Sequence, residues 1–366
     1  MDGAFHKNKL YSLCCVFALL IVQVEPAFAA ETYEFYNGVR SLGMGGARVA
    51  VVNDETALLV NPASLGKLRD NFITLIDPEL EIGQDTELIT GTNLLGFLDP
   101  QTTLNLTLAR PEKRLHQRAQ LFPSLVFPNF GLGLYARYST DAEVDATLTN
   151  LEMNYRNDYA AVLGFNFRLF DGRVKLGFNA RAINRVEVSR TDIDATSTAL
   201  TLSGLASEGF GVGVDTGLVL TAPWSWLPTL AAVYRDVGGT TYDVNDGMFL
   251  STSTRPASTP GTVDVGLAVF PIMGKRSRST VSVEYRDVLT AGEVADFNER
   301  LHYGFEINLA DAFFVRGGMN QNYWTAGLEL AMLRYQFQVA TYGEEIGDST
   351  AKRQDRRYVG KFAFRF

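Results

Sequence analysis

Strict alternation of apolar and polar residues dominates the chain after residue 118. It runs unbroken through residues 174–179, 281–286, 301–309 and 335–339. A period of two places apolar side chains on one face of a β-strand and polar ones on the other. Such segments reach about 10 residues, longer than the ~5–6 typical of soluble strands and near the ~9–11 that cross a bilayer. A soluble β-sandwich also alternates, but the strand length favours a membrane barrel.

The connections between these segments alternate between short and long. Tight turns are predicted at residues 128–129, 171–172, 223–227, 274–277, 311–312 and 333–334, and longer polar stretches at 140–158, 191–208, 244–259, 291–299 and 347–356. Outer-membrane barrels combine short periplasmic turns with long outer loops in this way. The sequence therefore predicts an all-β fold, a transmembrane antiparallel β-barrel of about 14 strands. The expected strands cover residues 71–83, 118–127, 130–139, 159–170, 173–189, 209–221, 228–243, 260–272, 279–289, 300–309, 313–321, 323–333, 334–345 and 356–366.

The last strand carries aromatic residues at alternate positions. In YVGKFAFRF these are Tyr358, Phe362, Phe364 and the terminal Phe366. A C-terminal strand of this kind resembles the assembly signal of outer-membrane barrels. It implies the barrel assembly machinery as a partner during insertion.

The first 29 residues have the features of a secretory leader. Lys7 and Lys9 precede an apolar run, and Ala27-Phe28-Ala29 offers small residues at the two positions before a cleavage site. The two cysteines of the chain, Cys14 and Cys15, both fall in this leader. A mature chain without cysteine forms no disulfide and no thiolate metal site.

The net charge and the number of histidines limit which partners, metal sites and reactions the protein could have. The net charge of −8 argues against a nucleic-acid partner, which requires a basic face. Beyond the leader only His116 and His302 remain, too few for a histidine-rich metal site, so no metal or cofactor is expected. His302 could in principle pair with a serine for catalysis, but nothing marks a particular serine, and no enzyme activity is predicted.

The tetrapeptide YRDV occurs twice, at residues 234–237 and 285–288. Alternation places Tyr285 outward and Arg286 inward, and Arg235 follows the same pattern. These arginines could pair with acids or with a ligand head group. The simpler interpretation, which we favour, is a charge facing the polar lumen beside a tyrosine at the membrane interface.

An unusually long outer connection, residues 84–117, lies between the first two predicted strands. A loop this long without secondary structure is either functional or disordered, and its leucine content argues against disorder. We predict a folded cap with an apolar groove for a hydrophobic ligand. The candidate groove residues are Leu94, Leu95, Phe97, Leu98, Leu104, Leu106 and Leu108.

The stretch SLGMGGARVAVVNDETALLVNPASLGKL, residues 41–68, follows the leader closely. Its glycines could suggest a phosphate loop, but no buried strand precedes them and no Gly-Lys-Ser/Thr follows. Its order and spacing instead resemble the N-terminal signature of the FadL-type outer-membrane transport family, which includes PorV-like proteins. Ser64 stands where that family often has glycine.

The resemblance implies a leader over 1–29, an N-terminal hatch over 30–70 that plugs the lumen, and a barrel over 71–366 embedded in outer-membrane lipid. It implies passive transport of hydrophobic small molecules such as long-chain fatty acids. A PorV-like role with a protein partner, as in secretion or surface attachment, is the alternative. The implied hatch residues are Gly43, Gly45, Gly46, Asp54, Glu55, Asn61 and Pro62.

Simple physical roles follow for this stretch. The glycines permit tight backbone turns, and Pro62 fixes the turn after Asn61. The adjacent acids Asp54 and Glu55 could lock the segment through charge-assisted bonds. The expected lumenal partners are Arg137, Arg168 and Arg181.

Overall fold

A computed structural model describes residues 34–86, 99–197, 199–250, 252–289, 297–347 and 351–366. The predicted leader lies outside these residues. The described chain forms a closed antiparallel β-barrel of 14 strands, as the sequence predicted. In chain order the strands are β1 (Phe72–Ile76 and Glu79–Gly83), β2 (Leu115–Leu121 and Ser124–Phe127), β3 (Phe130–Val144), β4 (Asn150–Leu169), β5 (Val174–Asp194), β6 (Ser207–Thr221), β7 (Thr229–Arg235), β8 (Thr262–Val269), β9 (Ser277–Tyr285), β10 (Leu301–Leu309), β11 (Phe313–Asn320), β12 (Tyr323–Ala331), β13 (Tyr335–Glu345) and β14 (Gln354–Arg365).

Each strand pairs with its sequence neighbours, and the first strand pairs with the last. Thr74 lies opposite Arg365 in the first half of β1, and Glu79 lies opposite Lys361 in the second half. This pairing closes the sheet and leaves no free edge.

The two faces of the barrel differ sharply in polarity. Apolar side chains cover the outer face, as at Leu134, Phe167 and Val339, which are 61%, 60% and 55% exposed. The inner face carries buried charges such as Arg185 and Glu306. An apolar exterior suits the acyl chains of a bilayer. Among the described helices, none is long and apolar enough to cross a membrane.

The wall is interrupted where β1 and β2 adjoin. β1 breaks at Asp77-Pro78 and β2 at Phe122-Pro123. Proline has no amide hydrogen and cannot donate to a ladder. Asp77 fills part of the break, because its Oδ1 accepts the Phe122 amide at 2.5 Å. The ladder between these strands resumes in a register shifted by one residue, from Thr74 opposite Ser124 to Glu79 opposite Gln120.

Several predicted strand boundaries are wrong. The polar stretch 140–158 is mostly strand, since β3 continues to Val144 and β4 begins at Asn150. Tyr138 and Tyr155 stack edge-on across this extension, 5.6 Å between centroids. The predicted strand 228–243 instead ends at Arg235, because the next residue, Asp236, has a positive φ of 47°.

Residues 34–68 are almost wholly buried, with only Asn53 exposed. They contain helices α1 (Val39–Gly43) and α2 (Ala57–Val60) and a 3-10 helix, Pro62–Lys67. α1 contacts β11–β14, whereas the 3-10 helix contacts β4–β6 on the opposite side of the barrel. The segment therefore crosses the inside of the barrel. We call it the N-terminal segment.

The long connection between β1 and β2 contains helix α3 (Pro100–Leu108). Asp99 caps its first turn, accepting the Thr102 amide at 3.0 Å. α3 packs on the extended ends of β3, β4 and β5, together with the short helix α4 (Leu202–Leu205). A second 3-10 helix, Phe297–Arg300, precedes β10.

Candidate functional site: the barrel lumen

At Gly45 the N-terminal segment lies directly against the wall. Its φ is +64°, and an added Cβ would collide with the Tyr303 carbonyl oxygen. The Gly45 amide donates to Thr325 Oγ1 at 2.9 Å, and its carbonyl oxygen lies 2.9 Å from His302 Nδ1. His302 is thus a buried lumenal residue in contact with this turn. The carbonyl oxygen of Gly43, two residues earlier at the end of α1, accepts from the Thr325 hydroxyl at 3.0 Å.

Gly46 completes the same turn, with φ +85°. Its carbonyl oxygen accepts a hydrogen bond from the Arg286 guanidinium. The glycine cluster therefore binds no phosphate-like group in this arrangement. It lets the backbone fit against a row of strand side chains and carbonyls.

Asn61 and Pro62 organise the other end of the segment. The Asn61 Oδ1 accepts the Ala63 amide at 3.1 Å, and its Nδ2 donates to the Val49 carbonyl at 3.1 Å. Pro62 occupies the first position of the 3-10 helix, where its missing amide hydrogen costs nothing. The Asn-Pro pair thus starts this helix and ties it back to residue 49.

Asp54 and Glu55 pair with cations other than the predicted arginines. Asp54 Oδ2 lies 3.2 Å from Arg40 Nη1, within the N-terminal segment itself. Glu55 Oε1 lies 2.6 Å from Arg365 Nη2 and 3.8 Å from Lys361 Nζ, both on β14. The expected pairing with Arg137, Arg168 or Arg181 is wrong, because the loop carrying these acids lies beside the last strand rather than β3–β5.

The protonation of the two acids is set in opposite directions. Burial raises the pKa of Glu55, and the neighbouring Asp54 adds to this effect against the Arg365 and Lys361 charges. Burial also disfavours the charged form of Asp54. There, however, the Arg40 guanidinium and the Thr56 hydroxyl prevail and hold its pKa below the usual value.

The three arginines nevertheless contact the N-terminal segment in other ways. Arg137 donates to the Glu34 carbonyl, and Arg168 Nη2 donates to the Leu68 carbonyl at 3.1 Å. The Arg181 guanidinium lies 4.4 Å from the centroid of the Phe35 ring. Their contacts with the segment are thus made to main-chain carbonyls and a ring, not to Asp54 or Glu55.

Arg40 forms a polar link between the segment and the wall that sequence reasoning missed. Its Nε and Nη2 lie 3.1 and 2.9 Å from the two Glu306 carboxylate oxygens of β10. This bidentate geometry fixes orientation as well as charge. A signal existed in the sequence, since Arg40 is a charged residue among apolar neighbours in a segment predicted to be buried.

The YRDV repeats end two strands in the same way. Asp236 and Asp287 both have positive φ, +47° and +51°. Their amides donate to the carboxylates of Asp215 and Asp264, at 2.8 and 3.1 Å. The valine that follows each aspartate also donates to a valine carbonyl on the adjoining strand. The sequence signal is a preceding Val-Asp-x-Gly in each case, at residues 214–217 and 263–266.

Arg235 and Arg286, the arginines of these repeats, point into the barrel. Arg235 Nε lies 2.9 Å from Asp264 Oδ2. Arg286 pairs with Glu284 at 3.1 Å and with Glu34 of the N-terminal segment. Both arginines thus face the lumen, which either interpretation of the repeat expects, and both pair with carboxylates.

An apolar cluster fills the lumen beside the interrupted wall. The N-terminal segment contributes Phe35, Tyr36 and the residues of α2, and the wall contributes Phe122 and Tyr135. Phe122 is the residue at which β2 breaks. The Phe35 and Tyr135 rings lie 4.8 Å apart between centroids. An apolar surface thus reaches from the centre of the lumen to the break.

The space on the long-loop side of the N-terminal segment is strongly polar. A cavity of about 260 Å³ lies there, lined by six arginines, six carboxylates and both His116 and His302. His116 bridges Asp141 and Glu81 at 2.7 and 2.8 Å. Within the described residues, no group of three or more His, Cys, Asp and Glu side chains is arranged to hold a metal ion.

The predicted apolar groove is only partly within the described structure. Leu94, Leu95, Phe97 and Leu98 lie outside the described residues. The alternating leucines 104, 106 and 108 lie on α3, not on an extended chain. Leu104 is fully buried and Leu108 partly buried in the cluster formed with β3–β5, whereas Leu106 is half-buried outside it.

The aromatic residues of the last strand share the outer face. Tyr358 and Phe366 are exposed, and Phe362 and Phe364 are half-buried against neighbouring aromatics. Phe362 packs against Phe337 at 5.0 Å, and Phe364 against Tyr335 at 5.2 Å between centroids. These rings form a lipid-facing ladder between β13 and β14.

No model of a known protein family matches the chain, and no curated protein has a significantly similar sequence. Solved structures do share its fold. The toluene transporter TodX of Pseudomonas putida aligns with 93% of this chain and 99% of its own, at 12% identity and a TM-score of 0.53.

Two further transporters align over similar lengths. The monoaromatic hydrocarbon channel CymD aligns with 90% of this chain and 97% of its own, at 11% identity and a TM-score of 0.54. The toluene transporter TbuX of Ralstonia pickettii covers 90% and 98%, at 13% identity and a TM-score of 0.50. The chain thus has the fold of the FadL-type hydrophobic-compound transporters that its N-terminal stretch resembles.

Proposed function

We propose that this protein lets hydrophobic small molecules cross the outer membrane passively. The observation that carries the proposal is the apolar cluster that joins the lumen to the break in the wall. The cavity on the long-loop side of the N-terminal segment is charged. A hydrophobic molecule crossing it would have to separate buried ion pairs, each costing about 3–5 kcal/mol. The route beside Phe122 is lined by apolar side chains up to the break, where it meets the ion pair between Asp77 and Lys361.

The N-terminal segment acts as the hatch on this route. It supplies Phe35 and Tyr36 to the apolar cluster, so its displacement would uncover the path that it now fills. Ion pairs such as Arg40–Glu306 and Glu55–Arg365 tie the segment to the wall, and these can be remade after movement. Cargo reaching the cluster leaves sideways into the membrane through the break between β1 and β2.

Two cargo classes fit the route. The structural relatives are named for toluene and monoaromatic hydrocarbons, and the sequence resemblance points to long-chain fatty acids. Both are apolar over most of their surface. The cap formed by α3 and its neighbours would collect them from outside, and the barrel assembly machinery would insert the protein. The protein performs no chemistry on the cargo.

The test is uptake by cells that lack their own hydrophobic channels. Cells producing the protein should take up radiolabelled toluene or oleate faster than cells with an empty vector. The variant Phe122→Asn should lose this gain, because a buried amide in the apolar route costs about 1–3 kcal/mol. Phe270→Asn is the matched control, since Phe270 packs on a different apolar cluster of the barrel.

Correct assembly of each variant is checked by its heat-dependent mobility on gels. Equal uptake by Phe122→Asn and Phe270→Asn would show that cargo does not pass beside Phe122. Uptake of a sugar of similar size at the same rate as toluene would indicate a general porin instead.

A further inference from the structure

The connection between β7 and β8, residues 236–261, folds into the barrel rather than away from it. It begins at Asp236 with φ +47° and turns through Gly238 and Gly239 at +80° and +85°. The amide of residue 237 donates to the Val214 carbonyl at 2.8 Å. We call this connection, described except at residue 251, the inner loop.

A stripe of glycines on β6 makes room for the inner loop. A Cβ at Gly209 would collide with the Tyr242 carbonyl oxygen, and a Cβ at Gly211 with the Thr241 carbonyl oxygen. Further along, Phe210 and Asn245 form an antiparallel bridge, with the Phe210 amide donating to the Asn245 carbonyl at 3.2 Å. The loop backbone thus lies on the lumenal face of β6 at residues 241–242 and pairs with the edge of β6 at residue 245.

Tyr242 carries the inner loop into the apolar cluster. Its side chain is 2% exposed and belongs to the cluster that contains Phe35 and Ile183. The Arg185 guanidinium lies 4.6 Å from its ring centroid, and its hydroxyl lies 2.9 Å from Thr259 Oγ1. The proposed route is therefore filled from two sides, by the N-terminal segment and by this tyrosine.

Arg181 joins these two elements. Its Nη2 lies 2.6 Å from Asp215 Oδ1 and 2.9 Å from Asp236 Oδ1, at the start of the inner loop. Its guanidinium also lies over the Phe35 ring of the N-terminal segment. Movement of Phe35 would remove one contact of the arginine that anchors the loop.

The outer part of the loop is held by one carboxylate. Glu208 accepts the amides of Met248 and Phe249 at 2.8 and 3.0 Å, and also that of Leu250. Together with the bridge at Asn245, this gives the loop fixed points on β6 on both sides of Gly247.

We propose that the inner loop is a second gate, and that hydrophobic cargo passes only when Tyr242 withdraws from the apolar cluster. The inference rests on the proposed function, because it names the element that regulates the same route. It adds that displacement of the N-terminal segment alone leaves the route closed.

A reversible cross-link tests the gate. The double variant Phe210→Cys/Asn245→Cys places cysteines on bridged residues, whose Cα atoms are about 4.5–5.5 Å apart in such pairs, within disulfide range. The only native cysteines, Cys14 and Cys15, are in the predicted leader. We expect oxidation to lower uptake of radiolabelled toluene or oleate about tenfold and reductant to restore it.

The outcomes separate the two proposals. Uptake by the wild type and the reduced variant supports the proposed function, and unchanged uptake after complete oxidation overturns the second gate. Failure to form the cross-link would also overturn it, by showing that the loop does not lie on β6. If no form of the protein promotes uptake, the proposed function fails. The gate is then tested separately, by measuring ion conductance through the purified barrel.

Conductance of the purified barrel in planar bilayers is an independent measure. Gly211→Val should expel the loop and raise the open-state conductance to ions. Gly317→Val is the control, because a Cβ at Gly317 has no neighbour closer than 3.8 Å. Equal conductance of the two variants would show that the loop does not obstruct the lumen.

Discussion

Single residues decide how tightly the N-terminal segment fits the wall. The glycine positions were predictable, because backbone turns in a buried segment require residues without side chains. The partners of Asp54 and Glu55 were not. Charge complementarity says only that an acid needs a cation. It does not say which of the lumenal cations lies nearby, and that depends on how the segment crosses the barrel.

Replacing Gly45 by alanine should loosen the segment. The positive φ costs about 1–2 kcal/mol for an L-residue, and the methyl group also collides with the Tyr303 carbonyl. We expect higher ion conductance in planar bilayers. Gly172→Ala is the matched control, since Gly172 has φ +79° but no neighbour within 4 Å. Wild-type conductance in Gly45→Ala would mean that the segment does not close the lumen.

Removing the Arg40–Glu306 pair should expose the segment to hydrogen exchange. A double-mutant cycle of Arg40→Gln and Glu306→Gln should give a coupling of about 1.5–3 kcal/mol in the protection of residues 39–60. The exposed pair Arg190–Asp192, 3.2 Å apart, serves as control with about 0–1 kcal/mol expected. If the coupling free energy were as small as that of the control pair, packing alone would hold the segment in place.

At the scale of elements, period-two alternation located nearly every strand but misjudged where some of them end. β3–β5 continue beyond the predicted ends because the extensions bury an apolar cluster with α3, a partner distant in sequence. β7 stops early because a positive-φ aspartate turns the chain inward. Neither the extension of β3–β5 nor the early end of β7 changes the local alternation, so the alternation could not predict these strand ends.

The cap provides a direct test of this packing. Leu104→Ala should destabilise the cluster around α3 by about 2–5 kcal/mol, since the side chain is completely buried. Limited proteolysis of the outer loops should then be faster, and binding of a fluorescent fatty acid weaker. Leu106→Ala, on the same helix but half-buried, should change neither. Similar behaviour of both variants would mean that the cluster does not support ligand capture.

For the molecule as a whole, an apolar exterior and a charged lumen restrict how a hydrophobic compound can cross. The alternation of apolar and polar residues along the strands already implied an apolar outer face and a polar inner face. The break that joins the two faces does not follow from this alternation. Pro78 and Pro123 were visible in the sequence, but their effect arises because the closed barrel sets them side by side in adjoining strands.

The alternative of a PorV-like partner protein makes a different prediction for the intact molecule. A channel should purify from native membranes without a stoichiometric protein partner, and deleting its gene should reduce hydrophobic uptake. Quantitative mass spectrometry of the purified material and an uptake assay of the deletion strain measure both. A stoichiometric partner combined with normal uptake would favour the partner role.

The sequence by itself determined the barrel class, the approximate strand count and the inward and outward faces. These properties depend on local period, turn chemistry and composition. Only the tertiary structure decided which lumenal charges meet, that Arg40 rather than Asp54 binds the wall, and that the inner loop enters the lumen over a glycine stripe. Those outcomes depend on closure of the sheet, which brings together residues hundreds of positions apart, such as Arg40 and Glu306.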